Sequence, residues 1–275
     1  MVQIVVILSL LGLCAGSFIN ALVWRIHEQA KTKTKKKNLS ILRGRSMCVH
    51  CRHELAWYDL LPLISWLLLR GKCRYCHKPI STQYPLVELI TAAVFTLSYV
   101  FWPIDVSTKG QWVLLSAWLI SSVGLIALAV YDLKWMLLPN RIIYPTLAFA
   151  VAGRLIYIIA YEPRIWHTLF LWAFSVVIAS GFFFVLFVVS KGKWIGYGDV
   201  RLGLITGTLL GEPQKSLAML FAASLIGTIV ILPALAKGDK NLASKLPFGP
   251  FLILATGLMV LFGDSLLNWY KGLIT

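Results

Sequence analysis

The feature that most restricts this chain is a series of apolar runs near residues 2–24, 84–103, 111–131, 141–160, 166–190, 214–236 and 247–270. About 20 apolar residues in a helix cross the ~30 Å hydrocarbon layer of a bilayer, and each of these runs is long enough to do so. An eighth run, 199–211, crosses only if tilted or broken. The pattern predicts an all-α polytopic membrane protein of about eight transmembrane helices, one of them short. Composition agrees: 59% of residues are hydrophobic and 13% charged, against about 45–50% and about 25% in soluble domains. That balance excludes a soluble globular enzyme, a disordered tail and a secreted disulfide scaffold. Residues 1–24 carry no charge before Arg25. The basic segment that opens a signal peptide is therefore missing, and a retained helix with Cys14 packed in it is expected.

Lysine and arginine orient the bundle. With the amino terminus outside and eight crossings, the inner loops are 25–83, 132–141, 191–201 and 237–246, and they hold most of the 26 basic residues. The outer segments hold only Lys109, Arg164, Lys215 and Lys271, as the positive-inside pattern requires. Arg154 is left within a helix. Parity needs 199–211 to count as a crossing. The net charge of +15 then needs no nucleic acid. Lys31, Lys33, Lys35, Lys36 and Lys37 read as an orientation signal that also meets anionic membrane lipids, and no aromatic stacking pattern accompanies them. The chain divides into a first transmembrane helix (1–24), a basic cytoplasmic insert (25–83) and a membrane core (84–275).

Within the insert lie Cys48-Val49-His50-Cys51 and Cys73-Arg74-Tyr75-Cys76. Two such pairs about twenty residues apart match a four-thiolate zinc site. Disulfides rarely persist in the reducing compartment this insert faces. Four thiolates fill the tetrahedron and leave no place for substrate, so the zinc is structural, a clip for a region too small to build a core. His50, His53 and His77 are expected beside the knuckles rather than in them. The apolar stretch from Leu60 to Leu69 is too short to span and is expected to lie in the membrane interface.

Of eleven acidic residues, four lie near membrane level: Glu88, Asp132, Asp199 and Asp264. Ionisable groups at that level point to function by default. Asp264 falls at the outer surface and cannot partner the others. Asp132 ends the run 111–131 at the inner side, and Asp199 opens 199–211 at the same side within Gly196-Tyr197-Gly198-Asp199. Two carboxylates able to share a proton can activate water and protonate a leaving amine. Glycines beside Tyr197 permit a tight turn and close approach of a substrate backbone. A proton-coupled carrier also uses intramembrane acids, but it calls for acids near mid-membrane and for inverted repeats. An assembly factor built around the zinc insert is a further alternative.

These residues resemble the prepilin peptidases (type IV leader peptidases), membrane aspartic proteases with a GxGD motif. The likeness covers most of the chain. It includes Gly16-Ser17-Phe18-Ile19-Asn20, both cysteine pairs, Leu69 to Cys76 and Tyr84 to Leu89. It continues with Asp132 followed by Leu138-Pro139, with Gly196 to Leu202, and with Leu246 to Phe251. The resemblance implies a bacterial inner-membrane enzyme that removes the basic cytoplasmic leader of type IV prepilins or type II secretion pseudopilins. It also implies N-methylation of the new amino terminus with S-adenosylmethionine. Asp132 and Asp199 are then the catalytic dyad, and Cys48, Cys51, Cys73 and Cys76 the metal ligands. Where many relatives read Asp-Asn-Ile-Pro, this chain has Asp59-Leu60-Leu61-Pro62. No glycine-rich loop follows a strand, and Glu88 and Asn20 are the candidates for cofactor binding. Acidic contacts for a basic leader are expected at Asp59, Glu54 or Glu88. Asp132 ends one helix and Asp199 opens another, so their dipoles favour the shared proton on Asp132 and make Asp199 the base.

Overall fold

The computed structural model describes residues 1–31, 40, 44–104, 106–236 and 247–274. Lys33, Lys35, Lys36 and Lys37, and the inner-loop residues Lys237, Lys240 and Lys245, lie outside the described residues. Nine α-helices and one short 3₁₀ helix are present among those described. The chain forms two compact units, Met1–Val100 and Phe101–Thr275.

The first unit consists of α1 (Val2–Lys31), the 3₁₀ turn Trp57–Leu60, α2 (Ile64–Leu68) and α3 (Gln83–Val100). α1 runs beyond the expected end at residue 24, because Arg25–Lys31 contains neither glycine nor proline to stop it. α1 and α3 lie antiparallel: Ser9 meets Thr96, Gly12 meets Ala92, Gly16 meets Glu88, and Asn20 meets Tyr84. The two glycines let the backbones touch. A Cβ at Gly12 would stand 2.6 Å from the Ala92 Cα, and one at Gly16 2.5 Å from the Glu88 Cα. Small residues four apart are a common device for packing helices in lipid, where no hydrophobic effect draws them together. Cys14 is exposed on α1 rather than packed within the unit.

The second unit holds α4 (Lys109–Trp135), α5 (Asn140–Tyr161), α6 (Ile165–Val189), α7 (Tyr197–Leu210), α8 (Pro213–Ala236) and α9 (Gly249–Ile274). α4 is its centre: 56% of its most apolar stretch is buried, against 22–28% for the other long helices of this unit. α5 runs antiparallel to it, with Gly124 facing Thr146 and Gly153 facing Ala117. α7 runs antiparallel to α6, with Gly203 against Ala179 and Ser180 and Gly207 against Ser175 and Val176. Outward faces remain apolar, as at Phe170, Val177, Val185 and Val188. Helices hydrophobic all round belong in lipid or in a large core.

Every predicted apolar run forms a helix, with ends within a few residues of expectation except at α1. Six helices are long and apolar enough to cross a membrane: α1, α4, α5, α6, α8 and α9. The 18-residue α3 and the 14-residue α7 are not among the six. The chain is an all-α polytopic membrane protein with six candidate spans among the described residues.

Candidate functional site

Three segments of the second unit converge at one end of its bundle. α4 stops there because Met136 takes a left-handed backbone (φ 52°) and donates its N–H to the Asp132 carbonyl. Pro139 then opens α5. Asp132, in the last turn of α4, is buried, and its Oδ2 accepts the N–H of Gly249 at 3.1 Å. Gly249 is the first residue of α9. A Cβ there would stand 2.7 Å from the same carboxylate oxygen, so this position holds glycine for space.

Asp199 is the third residue of α7, and its carboxylate reaches back to the N–H of Gly196, the cap of that helix. An acid at the third position folding back on the cap satisfies one of the amides a helix start leaves open. The charge of Asp132 is felt at Asp199; residues far apart in the chain are thus brought to one end of the bundle.

The flanking glycines do different work. A Cβ at Gly198 would press on Leu138 at 3.0 Å, so this glycine lets the α4–α5 loop lie on α7. Gly196 has an ordinary φ of −77°. A Cβ there would meet the Asp199 Oδ2 at 3.8 Å, an ordinary contact. Arg201 locks the same corner, donating to the Asn140 Oδ1 and lying over the Tyr197 ring at 4.6 Å.

One expectation changes. Helix dipoles were expected to separate the two acids, but that reasoning counts only α4 for Asp132. The amino end of α9 faces the same carboxylate, so each aspartate has one helix amino end beside it. The carboxyl end of α4 still lies beside Asp132, so the α9 amino end offsets that dipole and narrows the difference between the two acids.

In the first unit the four cysteines come together: one sulfur from each of Cys48, Cys51, Cys73 and Cys76 lies within 4.8 Å of the others. Cys48 Sγ and Cys76 Sγ are 3.9 Å apart. Tetrahedral zinc with bonds of about 2.3 Å spaces its sulfurs by about 3.8 Å, so the cluster fits the ion. The two knuckles are built alike. Cys48 and Cys73 each donate a backbone N–H to a residue five further on and accept one from the residue four further on. Arg52 and His77, the accepted donors, both have left-handed backbones, with φ of 62° and 56°. No histidine enters the cluster among the described residues. His50 contacts the Pro79 carbonyl, and the His53 ring lies 3.7 Å from that of Tyr75.

The acids around this cluster are engaged. Asp59 binds Arg74 at 2.8 Å and Tyr75 at 3.0 Å. Burial alone would push its carboxyl up, but these bonds and the Ala56 N–H hold it below the usual carboxylate range. The same contact pushes the Tyr75 hydroxyl up to about 12. Glu88 is buried and accepts the N–H of Leu63 at 2.8 Å. Leu63 is left-handed (φ 59°) and opens α2, whose Ile64, Leu67 and Leu68 are exposed, an apolar face outside the unit's core. Asn20 donates to the Gly16 and Tyr84 carbonyls and accepts from Gln83, joining α1 to α3. Glu88 and Asn20, the candidates for the methyl donor, thus already have protein partners. The cavity beside them, bounded by Trp24, Trp66, Asp59 and Tyr84, measures about 140 Å³. Ligand pockets usually measure about 300–1,000 Å³, so this space among the described residues is smaller than a usual cofactor pocket.

Two features escaped the sequence reading. Gly249 was one residue of a quoted motif, with nothing in the sequence to say that its amide meets Asp132. Asp264, placed by the sequence at the outer surface, pairs there with Lys215 at 2.8 Å, which also binds Glu212 at 3.1 Å. A lysine close in sequence to an outer-side acid was the available signal.

An all-helical membrane bundle with two carboxylates within electrostatic reach of each other at one end and a four-thiolate cluster in a separate unit defines a narrow class, that of membrane proteins with a paired-aspartate centre. Residues 10–102 match the bacterial peptidase A24 N-terminal domain, and residues 119–232 match the type IV leader peptidase family. A prepilin leader peptidase/N-methyltransferase of Bacillus subtilis is 33% identical, with 96% of each chain covered. One from Legionella pneumophila is 30% identical over 97% of this chain and 94% of the relative. A type 4 prepilin-like proteins leader peptide-processing enzyme of Escherichia coli O78:H11 is 31% identical over 88% of each. No solved structure gives a significant match. The chain belongs to the type IV leader peptidase family.

Proposed function

We propose that this protein is a membrane aspartic endopeptidase that cleaves the leader of type IV prepilins or type II secretion pseudopilins, with Asp132 and Asp199 as its catalytic pair. The observation that carries this reading is the placement of the two carboxylates at one end of a membrane bundle, where Asp132 acts electrostatically on Asp199. One carboxylate takes a proton from water while the other, protonated, donates to the scissile carbonyl oxygen. Collapse of the adduct breaks the C–N bond, and the departing amine takes up a proton from the pair. The amides of Gly249 and Gly196 hold the two carboxylates in place.

The excess of Lys and Arg in loops on the side of the pair supports an orientation with the active end toward the cytoplasm of a bacterial inner membrane. A substrate with a cytoplasmic leader and an apolar helix presents its scissile bond at that level. Of the acids weighed as leader contacts, Glu54 is on the surface and paired with Arg45 at 3.2 Å, while Asp59 and Glu88 are committed inside the fold. Zinc held by the four cysteines stabilises the insert and takes no part in hydrolysis. The relatives' names extend the activity to N-methylation of the new amino terminus, for which S-adenosylmethionine supplies the methyl group.

The test is to incubate the purified full chain with a prepilin and look for the shortened product. Cleavage that is lost in both Asp132→Asn and Asp199→Asn supports the assignment. Cleavage surviving in either overturns the assignment of the pair, and no cleavage by the unsubstituted chain favours a carrier or an assembly factor.

A further inference from the structure

The second unit contains a cavity of about 540 Å³ at the end of its bundle opposite Asp132 and Asp199. Its origin is the brevity of α7. Fourteen residues at ~1.5 Å each reach ~21 Å, well short of the ~30 Å hydrocarbon layer. The helix stops at Gly211 (φ 69°), and the neighbouring helices continue past it.

The charged groups lining this space are Arg154, Glu162, Glu212, Lys215 and Asp264. Lys215 takes Glu212 at 3.1 Å and Asp264 at 2.8 Å, and Glu162 accepts the Tyr157 hydroxyl. Every carboxylate at the cavity therefore has a donor. Arg154 is different. Its Nε is buried with no hydrogen-bond partner among the described residues, and Glu212 and Glu162 act on it only at longer range. Its guanidinium occupies the place that a side chain on residue 211 would take. An arginine within a membrane bundle is costly unless paired, and its fork of N–H donors matches phosphate oxygens. The remaining walls include Leu114, Leu171 and Val260, with Trp102 and Trp118, surfaces suited to acyl chain and membrane interface.

We propose that this cavity binds a phosphate ester, with Arg154 as its anchor and a phospholipid headgroup as the class of ligand. Free phosphate offers the same oxygens, and the experiment separates the two sources. The full chain is purified in non-ionic detergent and titrated with dioleoylphosphatidylglycerol, with dioleoylglycerol and with inorganic phosphate, and bound species are read by native mass spectrometry. One phospholipid per chain is expected to be retained, with retention about tenfold weaker in Arg154→Gln. Gly211→Asn is the second variant. Asparagine tolerates the left-handed backbone, and its side chain displaces the guanidinium without removing the arginine; the same loss is expected. If Arg154→Gln does not fold, Gly211→Asn decides alone. Displacement of the lipid by millimolar phosphate assigns the site to the free anion, and resistance to phosphate assigns it to the headgroup. Equal retention of phospholipid and dioleoylglycerol, wild-type retention in the folded variants, or no binding of any probe overturns the proposal.

Discussion

The α1–α3 pair and the α6–α7 pair use one packing device for different ends. Each is antiparallel, and each brings two glycines four residues apart against the partner's backbone: Gly12 and Gly16 on α1, Gly203 and Gly207 on α7. In the first unit the polar contacts along the seam, Ser9 with Thr96 and Asn20 with Tyr84 and Gln83, connect protein to protein. That seam is a frame for the zinc insert. In the second unit the glycine-bearing helix is also the one that opens with Asp199. Close packing there sets the height of a reactive group, so the same kind of damage should have different consequences in the two places.

The largest effect belongs to the first unit. Structural zinc contributes on the order of 10 kcal/mol to small domains that depend on it. Stripping it with a chelator, or replacing Cys48 and Cys76 with serine, is expected to unfold the insert. Proteolysis between residues 44 and 80 would report this, while the helices of the second unit stay intact. Next come Asp132→Asn and Asp199→Asn, each lowering cleavage by at least about 10³-fold. Because the α9 amino end offsets the α4 carboxyl end at Asp132, the two variants should bind uncleaved substrate within about threefold of one another. A large preference for either would restore the asymmetry that the sequence suggested.

Gly203→Val and Gly12→Val sharpen the comparison directly. Each adds a Cβ that would stand 2.8 Å or less from the partner helix's backbone, with a cost of about 1–3 kcal/mol readable as a lowered Tm in detergent. Only Gly203→Val should also depress cleavage beyond what the loss of folded protein explains. Gly249→Ala is milder. Its new methyl meets the Asp132 carboxylate oxygen, and a drop of about tenfold in kcat with little change in KM is expected. Smallest is Leu63→Gly, which relieves a left-handed leucine and should be neutral or stabilising by up to about 1 kcal/mol.

Much of this was legible in the sequence because lipid imposes strict rules. A helix that must span hydrocarbon shows itself as an apolar run, and α4 to α9 fall within a few residues of such runs. The cysteine pairs were legible because one ion needs four sulfurs at fixed spacing. What the sequence hid is contact at a distance. Nothing local in Asn20 or Glu88 says that one ties α1 to α3 and the other holds the Leu63 amide. Nothing local in Gly249 says that its amide answers Asp132. The helix-dipole argument was incomplete for that reason: it looked along the chain, whereas a second, opposing dipole at Asp132 comes from a helix more than a hundred residues away.

The Gly249–Asp132 bond has a practical consequence for anyone preparing an inactive enzyme to trap substrate. Asp132 is the anchorage for the start of the last helix as well as a reactive group, so deleting its side chain unfastens architecture together with chemistry. An asparagine can still offer the glycine amide a carbonyl oxygen, whereas an alanine offers nothing. The amide variant is the one whose silence reports on catalysis alone.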